Sequence, residues 1–167
     1  ATLGDAPSQE LALQGLALLR DLSITDIEKL ITIAFDDLDV AHKNYQETTR
    51  VLASKAIAAQ GPSSIEVLRS LLSQRVRRKA DSEDLERLLR TIELSGQQDQ
   101  GIDTMLSQLV KDPFRSLETR IAGWNARATT AMLTDRVIKD IHYYLHDMEY
   151  EPEARATALS SLARICG

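Results

Sequence analysis

The chain has 167 residues, 43% of them hydrophobic and 27% charged, with a net charge of −5. That length suits one domain with a real core, residues 1–167, and the hydrophobic fraction is too high for a disordered chain. Seven Gly and four Pro are too few for a turn-rich sandwich or barrel, and the single Cys166 excludes an internal disulfide framework. No run approaches the roughly 20 apolar residues of a membrane-spanning helix, and the N-terminus lacks the basic and apolar regions of a secretory signal. A cytoplasmic protein is expected, or an effector secreted without a classical signal. The chain opens on Ala1 rather than Met, as a processed chain or a fragment of a longer protein does.

Leu11, Leu13, Leu16, Leu18, Leu19 and Leu22 predict a short first helix, apolar around more of its circumference than a surface helix needs. It either inserts between other helices or turns part of its face, Leu13 and Leu16 included, to a partner. Thr25-Asp26-Ile27-Glu28 has the form of a capping box. From there Ile27, Ile31, Ala34, Leu38, Ala41, Tyr45, Thr48 and Leu52 recur at alternating steps of four and three. This heptad seam, with no Gly or Pro between Gly15 and Gly61, predicts one long helix over about 25–60, of coiled-coil character. Gly61-Pro62 ends it, and Ser63 with Glu66 has the spacing to cap the next helix, whose stripe is Ile65, Leu68, Leu72 and Val76. Asp81-Ser82 reads as a cap or turn before Leu85, Leu88, Leu89 and Ile92.

Residues 96–101, Gly96 to Gly101 around Gln97-Gln98-Asp99-Gln100, form the clearest loop and separate the two halves of the chain. A shorter helix with Ile102, Met105, Leu106 and Leu109 follows. Asp112-Pro113 then predicts the opening of a second long helix over about 113–149, with Asp as cap and Pro at the first helical position. Its stripe runs through Leu117, Ile121, Trp124, Ala128, Ala131, Thr134, Ile138, Ile141, Leu145 and Met148, with one irregular step near Ala131 to Thr134, where a change of packing angle is expected. Trp124 reads as a core anchor, and Gly123 beside it as a place where another helix comes close. A last helix starts near Pro152. The expected fold is all-α, an elongated bundle of two long helices with shorter ones packed along them.

Three sets of residues invite a chemical reading. His142 and His146 stand one turn apart, and Asp39 with His42 has the spacing that di-metal bundles use with carboxylates. Yet the Glu-x-x-His pair of those bundles is absent, and both C-terminal histidines fall off the apolar stripe, as exposed histidines on a polar face do. Arg75-Val76-Arg77-Arg78-Lys79 is the only basic run, and a phosphate-binding role follows from it alone. Against that, residues 61–100 hold seven basic and seven acidic side chains, so the run is neutralised locally. Asp36, Asp37 and Asp39 make an acidic face suited to solvent or to a basic partner. Tyr143, Tyr144 and Tyr150 make an amphipathic aromatic group suited to an interface. No reactive Ser or Cys motif and no glycine-rich phosphate loop is present, so no catalysis and no cofactor is expected.

Arg90-Thr91, the glutamine-rich loop and Lys111-Asp112-Pro113 resemble part of the first helical domain of type III secretion gatekeepers, over less than a third of the chain. The resemblance implies association with a bacterial secretion system. The segment over 25–60 has no counterpart in it. The sequence therefore predicts a non-catalytic protein–protein interaction domain, an adaptor, regulator or effector that contacts another protein or a second copy of itself. A metal-binding bundle and a nucleic-acid-binding regulator stand as alternatives.

Overall fold

The computed structural model describes residues 6–19, 22–35, 47–77, 83–146 and 151–166. Nine helices and no strand are found among the described residues, so the chain is all-α. In order they are α1 (Ala6–Leu18), α2 (Ile24–Ala34), α3 (Glu47–Ala59), α4 (Pro62–Arg77), α5 (Glu83–Ser95), α6 (Gln100–Leu109), α7 (Leu117–Thr130), α8 (Asp135–His146) and α9 (Pro152–Cys166).

Neither long helix exists as one rod. The first seam is broken at Phe35, whose backbone is extended (φ −125°, ψ 131°) while its N–H still donates to the Ile31 carbonyl. The physical reason lies 53 residues away. Arg87 Nη1 donates to the Ala34 carbonyl at 3.1 Å and takes the place of a further helical N–H. Phe35 itself is buried in the core. The second rod is broken over residues 131–134. Ala131 closes α7 in extended conformation, Asp99 N–H donates to the Thr130 carbonyl at 3.0 Å, and Thr134 begins the next turn by accepting at its carbonyl from Ile138 N–H. The irregular step at Ala131 is thus a full break between two helices. The coiled-coil seam is likewise replaced by short helices packed in pairs.

Several caps sit two to four residues from their expected places. Ser23, not Thr25, caps α2, accepting from Asp26 N–H at 3.2 Å. Asp112-Pro113 opens no helix: the Asp112 side chain accepts from Phe114 N–H in a turn, and Ser116 caps α7 by accepting from Thr119 N–H. Gly61 takes φ +55°, a left-handed conformation that glycine adopts at least cost, and α4 begins at Pro62, so Ser63 lies inside the helix and caps nothing. The loop between the halves is shorter than expected, because Gln100 and Gly101 belong to α6, with Asp99 as its cap.

The arrangement is a stack of helical hairpins. Each odd-numbered helix packs on the next odd one, α1 on α3, α3 on α5, α5 on α7 and α7 on α9, while α2, α4, α6 and α8 each pack on the odd helix that follows, and α4 also meets α6. The odd helices run in one direction. Gln60, just past α3, bonds both Leu19 O and Leu22 N just past α1. Glu47 and Arg87 meet near the starts of α3 and α5, and Arg120 of α7 meets Glu151 at the start of α9. The hairpins recur every 34 to 36 residues, as the starts of α3, α5, α7 and α9 at Glu47, Glu83, Leu117 and Pro152 show. Repeats of this length, each burying its apolar face only against its neighbours, are the logic of helical-repeat proteins.

One continuous core runs along the stack. Leu85, Leu88, Leu89 and Ile92 of α5 are fully buried at its middle, between Ile57 of α3 and Trp124 of α7. Gly123 lets α7 approach the end of α6, since a β-carbon there would come within 2.9 Å of Leu109 and Val110 side-chain atoms. Trp124 is buried with its ring edge-on to Tyr144 at 4.8 Å, the core anchor expected of it.

Candidate functional site

A cleft of about 520 Å³ opens between α3 and α5. The parallel run of the two helices builds it. Residues four apart on α3 (Glu47, Val51, Lys55) face residues of α5 at similar spacing (Glu83, Glu86 or Arg87, Arg90, Leu94). The floor is Ser54 and Thr91, both buried, and the Thr91 hydroxyl donates to the Arg87 carbonyl at 2.7 Å. Val51 and Leu94 stand on the walls, and Leu94 is 61% exposed.

The polar groups of the cleft are sorted along its length. Glu47, Glu83 and Glu86 lie toward the starts of the helices; Lys55 and Arg90 lie about two turns further on, and both are exposed. Among the described residues neither Lys55 nor Arg90 forms an ion pair. Arg87 is committed to the fold. It is buried, pairs with Asp84 at 2.6 Å and with Glu47 at 2.7 Å, and closes α2 through Ala34. Asp84 is further approached by Arg50 at 3.7 Å and Arg75 at 3.9 Å.

A second cluster of charge is buried between α6, α7 and α8. Arg127 has no exposed surface; its Nε donates to Asp103 Oδ1 at 2.7 Å, and its Nη1 lies 2.6 Å from Asp140 Oδ2 without hydrogen-bond alignment. Nη2 has no hydrogen-bond partner, and the guanidinium lies 5.2 Å from the Trp124 ring centre. Asp140 also accepts from Lys111 Nζ and from Ser107 Oγ. Burial pushes the Asp140 carboxyl up, but the hydrogen bond from Lys111 and the charge of Arg127 outweigh it and hold it below the usual carboxylate range. Every carboxylate here is already paired with a cation of the same chain. The cluster fixes the hairpins in register and offers no free ligand.

The residues expected to bear function fall apart in space or into the core. Tyr144 is buried, whereas Tyr143 is 46% exposed, with Lys111 Nζ 5.6 Å from its ring centre. Tyr144 is therefore a core ring and is corrected as a partner-facing residue, because α8 buries Val137, Asp140 and Tyr144 on one side. Leu13 is buried and Leu16 half-buried, so neither belongs to an exposed contact surface; α1 turns Leu11 and Leu18 outward instead. Asp36, Asp37, Asp39, His42 and Tyr150 lie outside the described residues. His142 and His146 are exposed with rings stacked at 6.4 Å, and no group of three metal-ligating side chains occurs among the described residues. Of the basic run, Arg75 is drawn to Asp84 and Arg77 is exposed; Arg78 and Lys79 lie outside the described residues.

The cleft itself was not foreseen. Its only trace in the sequence is that Lys55 interrupts the apolar seam and that Leu94 falls off the stripe of α5. No protein-family model matches the chain, and no curated protein or solved structure matches it either. Of the residues that resemble type III gatekeepers, Arg90 and Thr91 line the cleft, while Lys111-Asp112-Pro113 forms the turn between α6 and α7. No helix among the described residues is long and apolar enough to cross a membrane.

Proposed function

We propose that this chain is a non-catalytic helical-repeat interaction domain, an adaptor, regulator or effector, that holds an amphipathic helix of another protein in the α3/α5 cleft. The observation that carries the reading is the cleft's combination of apolar walls, Val51 and Leu94, with charges sorted by sign along its length. From Glu83 to Leu94 the cleft spans on the order of 16 Å, about three turns of a guest helix. Such a guest presents apolar residues to Val51 and Leu94, an acid to Lys55 and Arg90, and a base to Glu83 and Glu86. Stacked hairpins commonly bind partners in this manner, along the extended surface that the repeats create. A cytoplasmic setting is part of this reading.

Selection of displayed amphipathic helices on the immobilised domain tests it. Enriched helices should carry the stated charge order and lose binding to the Leu94→Glu variant and to the Lys55→Glu/Arg90→Glu variant. Binders that ignore all three substitutions would place the interaction elsewhere and refute the proposal.

A further inference from the structure

The two ends of the stack differ. The exposed side of α9 carries Ala156, Ser160, Ala163 and Arg164, a small and polar surface. The exposed side of α1 carries Leu11 and Leu18, on the same face at a spacing of seven, followed by Leu19 and Ile24 at the turn into α2. Leu18 is 85% exposed and Ile24 72%. The backbone at this corner is held by Gln60, through Leu19 O and Leu22 N, so the exposed leucines sit on a fixed support.

Between Leu11 and Leu18 on that face stands Gly15. Glycine is the poorest helix former after proline, and here a β-carbon would meet nothing within 4 Å. Gly123, in the middle of α7, has a packing reason, since a neighbouring element lies against it. Gly15 has none among the described residues. A glycine flanked by leucines on an open face fits one use, the close approach of a second helix over the glycine.

We infer that the α1 face binds a second copy of this chain, in a two-fold dimer whose α1 helices cross at Gly15. Three features select a second copy as the occupant. Residues 11–19 carry no charge in a chain of net charge −5, so two copies meet there with least repulsion, and a charged partner finds nothing to pair with. The site is self-complementary: in an antiparallel crossing with glycine on glycine, Leu11 of one copy meets the exposed Leu18–Leu19 pair of the other. Leu11, Leu18, Leu19 and Ile24 together expose several hundred Å², the larger part of the roughly 800 Å² per partner of a stable interface. This surface is separate from the α3/α5 cleft and does not rest on it.

The test uses the 167-residue chain with Cys166→Ser, which removes its exposed thiol. Sedimentation velocity from sub-micromolar to high-micromolar concentration should show a monomer–dimer equilibrium. Leu18→Glu should weaken it about tenfold or more, the loss expected for one buried leucine on each copy, with the circular dichroism and melting of the dilute monomer unchanged. Gly15→Ala should weaken dimerisation while raising the melting temperature of the dilute monomer. Gly15→Cys should form a covalent dimer on mild oxidation, and Ser160→Cys on α9 should not. A monomer at every concentration, a dimer indifferent to Leu18→Glu, a dimer abolished by Leu94→Glu in the cleft, or equal cross-linking through residue 160 would each overturn the inference.

Discussion

Asp140→Asn should destabilise the fold more than Arg127→Met, although Arg127 is the more deeply buried of the pair. The cluster holds the cations Arg127, Lys111 and Arg136 against the carboxylates of Asp103 and Asp140. Losing Arg127 leaves one cation for each carboxylate. It also removes a guanidinium nitrogen, Nη2, that is buried without a hydrogen bond, an arrangement that costs about 1–3 kcal/mol. The net cost of Arg127→Met should therefore be about 1–3 kcal/mol, below the 3–5 kcal/mol typical of a broken buried pair. Losing the Asp140 charge leaves three cations facing Asp103 alone, and the full cost of about 3–5 kcal/mol applies. For a domain of this size, Asp140→Asn should lower the melting temperature by roughly 6–20 °C. The assay is urea and thermal unfolding followed by Trp124, the only tryptophan, which lies against Arg127. An Arg127→Met variant as unstable as Asp140→Asn would refute the reasoning and show that the two ion contacts of Arg127 outweigh its unmet nitrogen.

Stability should also fall in acid. Folding depresses the carboxyls of Asp140, Asp99 and Glu151, so each stabilises the fold above the unfolded value near about 4, and that stabilisation is lost as pH falls through the folded values. A pH series of melting temperatures should slope downward below about pH 5, less steeply in Asp140→Asn. Gly123→Ala should cost about 1–3 kcal/mol by overpacking against Leu109 and Val110, read from the urea midpoint. Arg87→Met should cost about 2–4 kcal/mol, because it uncaps α2 and leaves Asp84 and Glu47 without their nearest cation; amide exchange should rise first at the end of α2. Phe114→Ala, by contrast, should change stability by no more than about 0.5 kcal/mol, since that ring is 91% exposed.

The fold class was legible because apolar residues recur at helical spacing in every segment and nowhere alternate. Punctuation by Gly61-Pro62, Gly96 and Pro152 was legible too, since those residues act through their own backbone. The breaks at Phe35 and at residues 131–134 were not. The seam Ile27-Ile31-Ala34-Leu38 keeps its period across the first break, and the group that ends the helix, Arg87, comes from another hairpin. Likewise Asp99 receives the end of α7 from 31 residues upstream. A helix ended by a distant partner leaves no local mark. The 35-residue recurrence went unseen for a related reason. The hairpins share a geometry but no residue signature, and their register is kept by pairs such as Glu47–Arg87 and Arg120–Glu151 that differ from hairpin to hairpin. On α8 the stripe put Ile138 inward, yet Ile138 is 45% exposed, because Asp140 is drawn inside by Arg127 and Lys111 and turns Tyr144 in with it.

Since each hairpin leans only on those beside it, the molecule should come apart from its ends like a short zipper. Amides of α5, clasped by α3, α4 and α7, should be the last to exchange with solvent, while α1 and α9, each with a single odd-numbered neighbour, should fray earliest. A guest in the cleft would then lie on the most rigid hairpins of the chain. Joining two copies through α1 would turn one fraying terminus into an interior, and slow exchange there first.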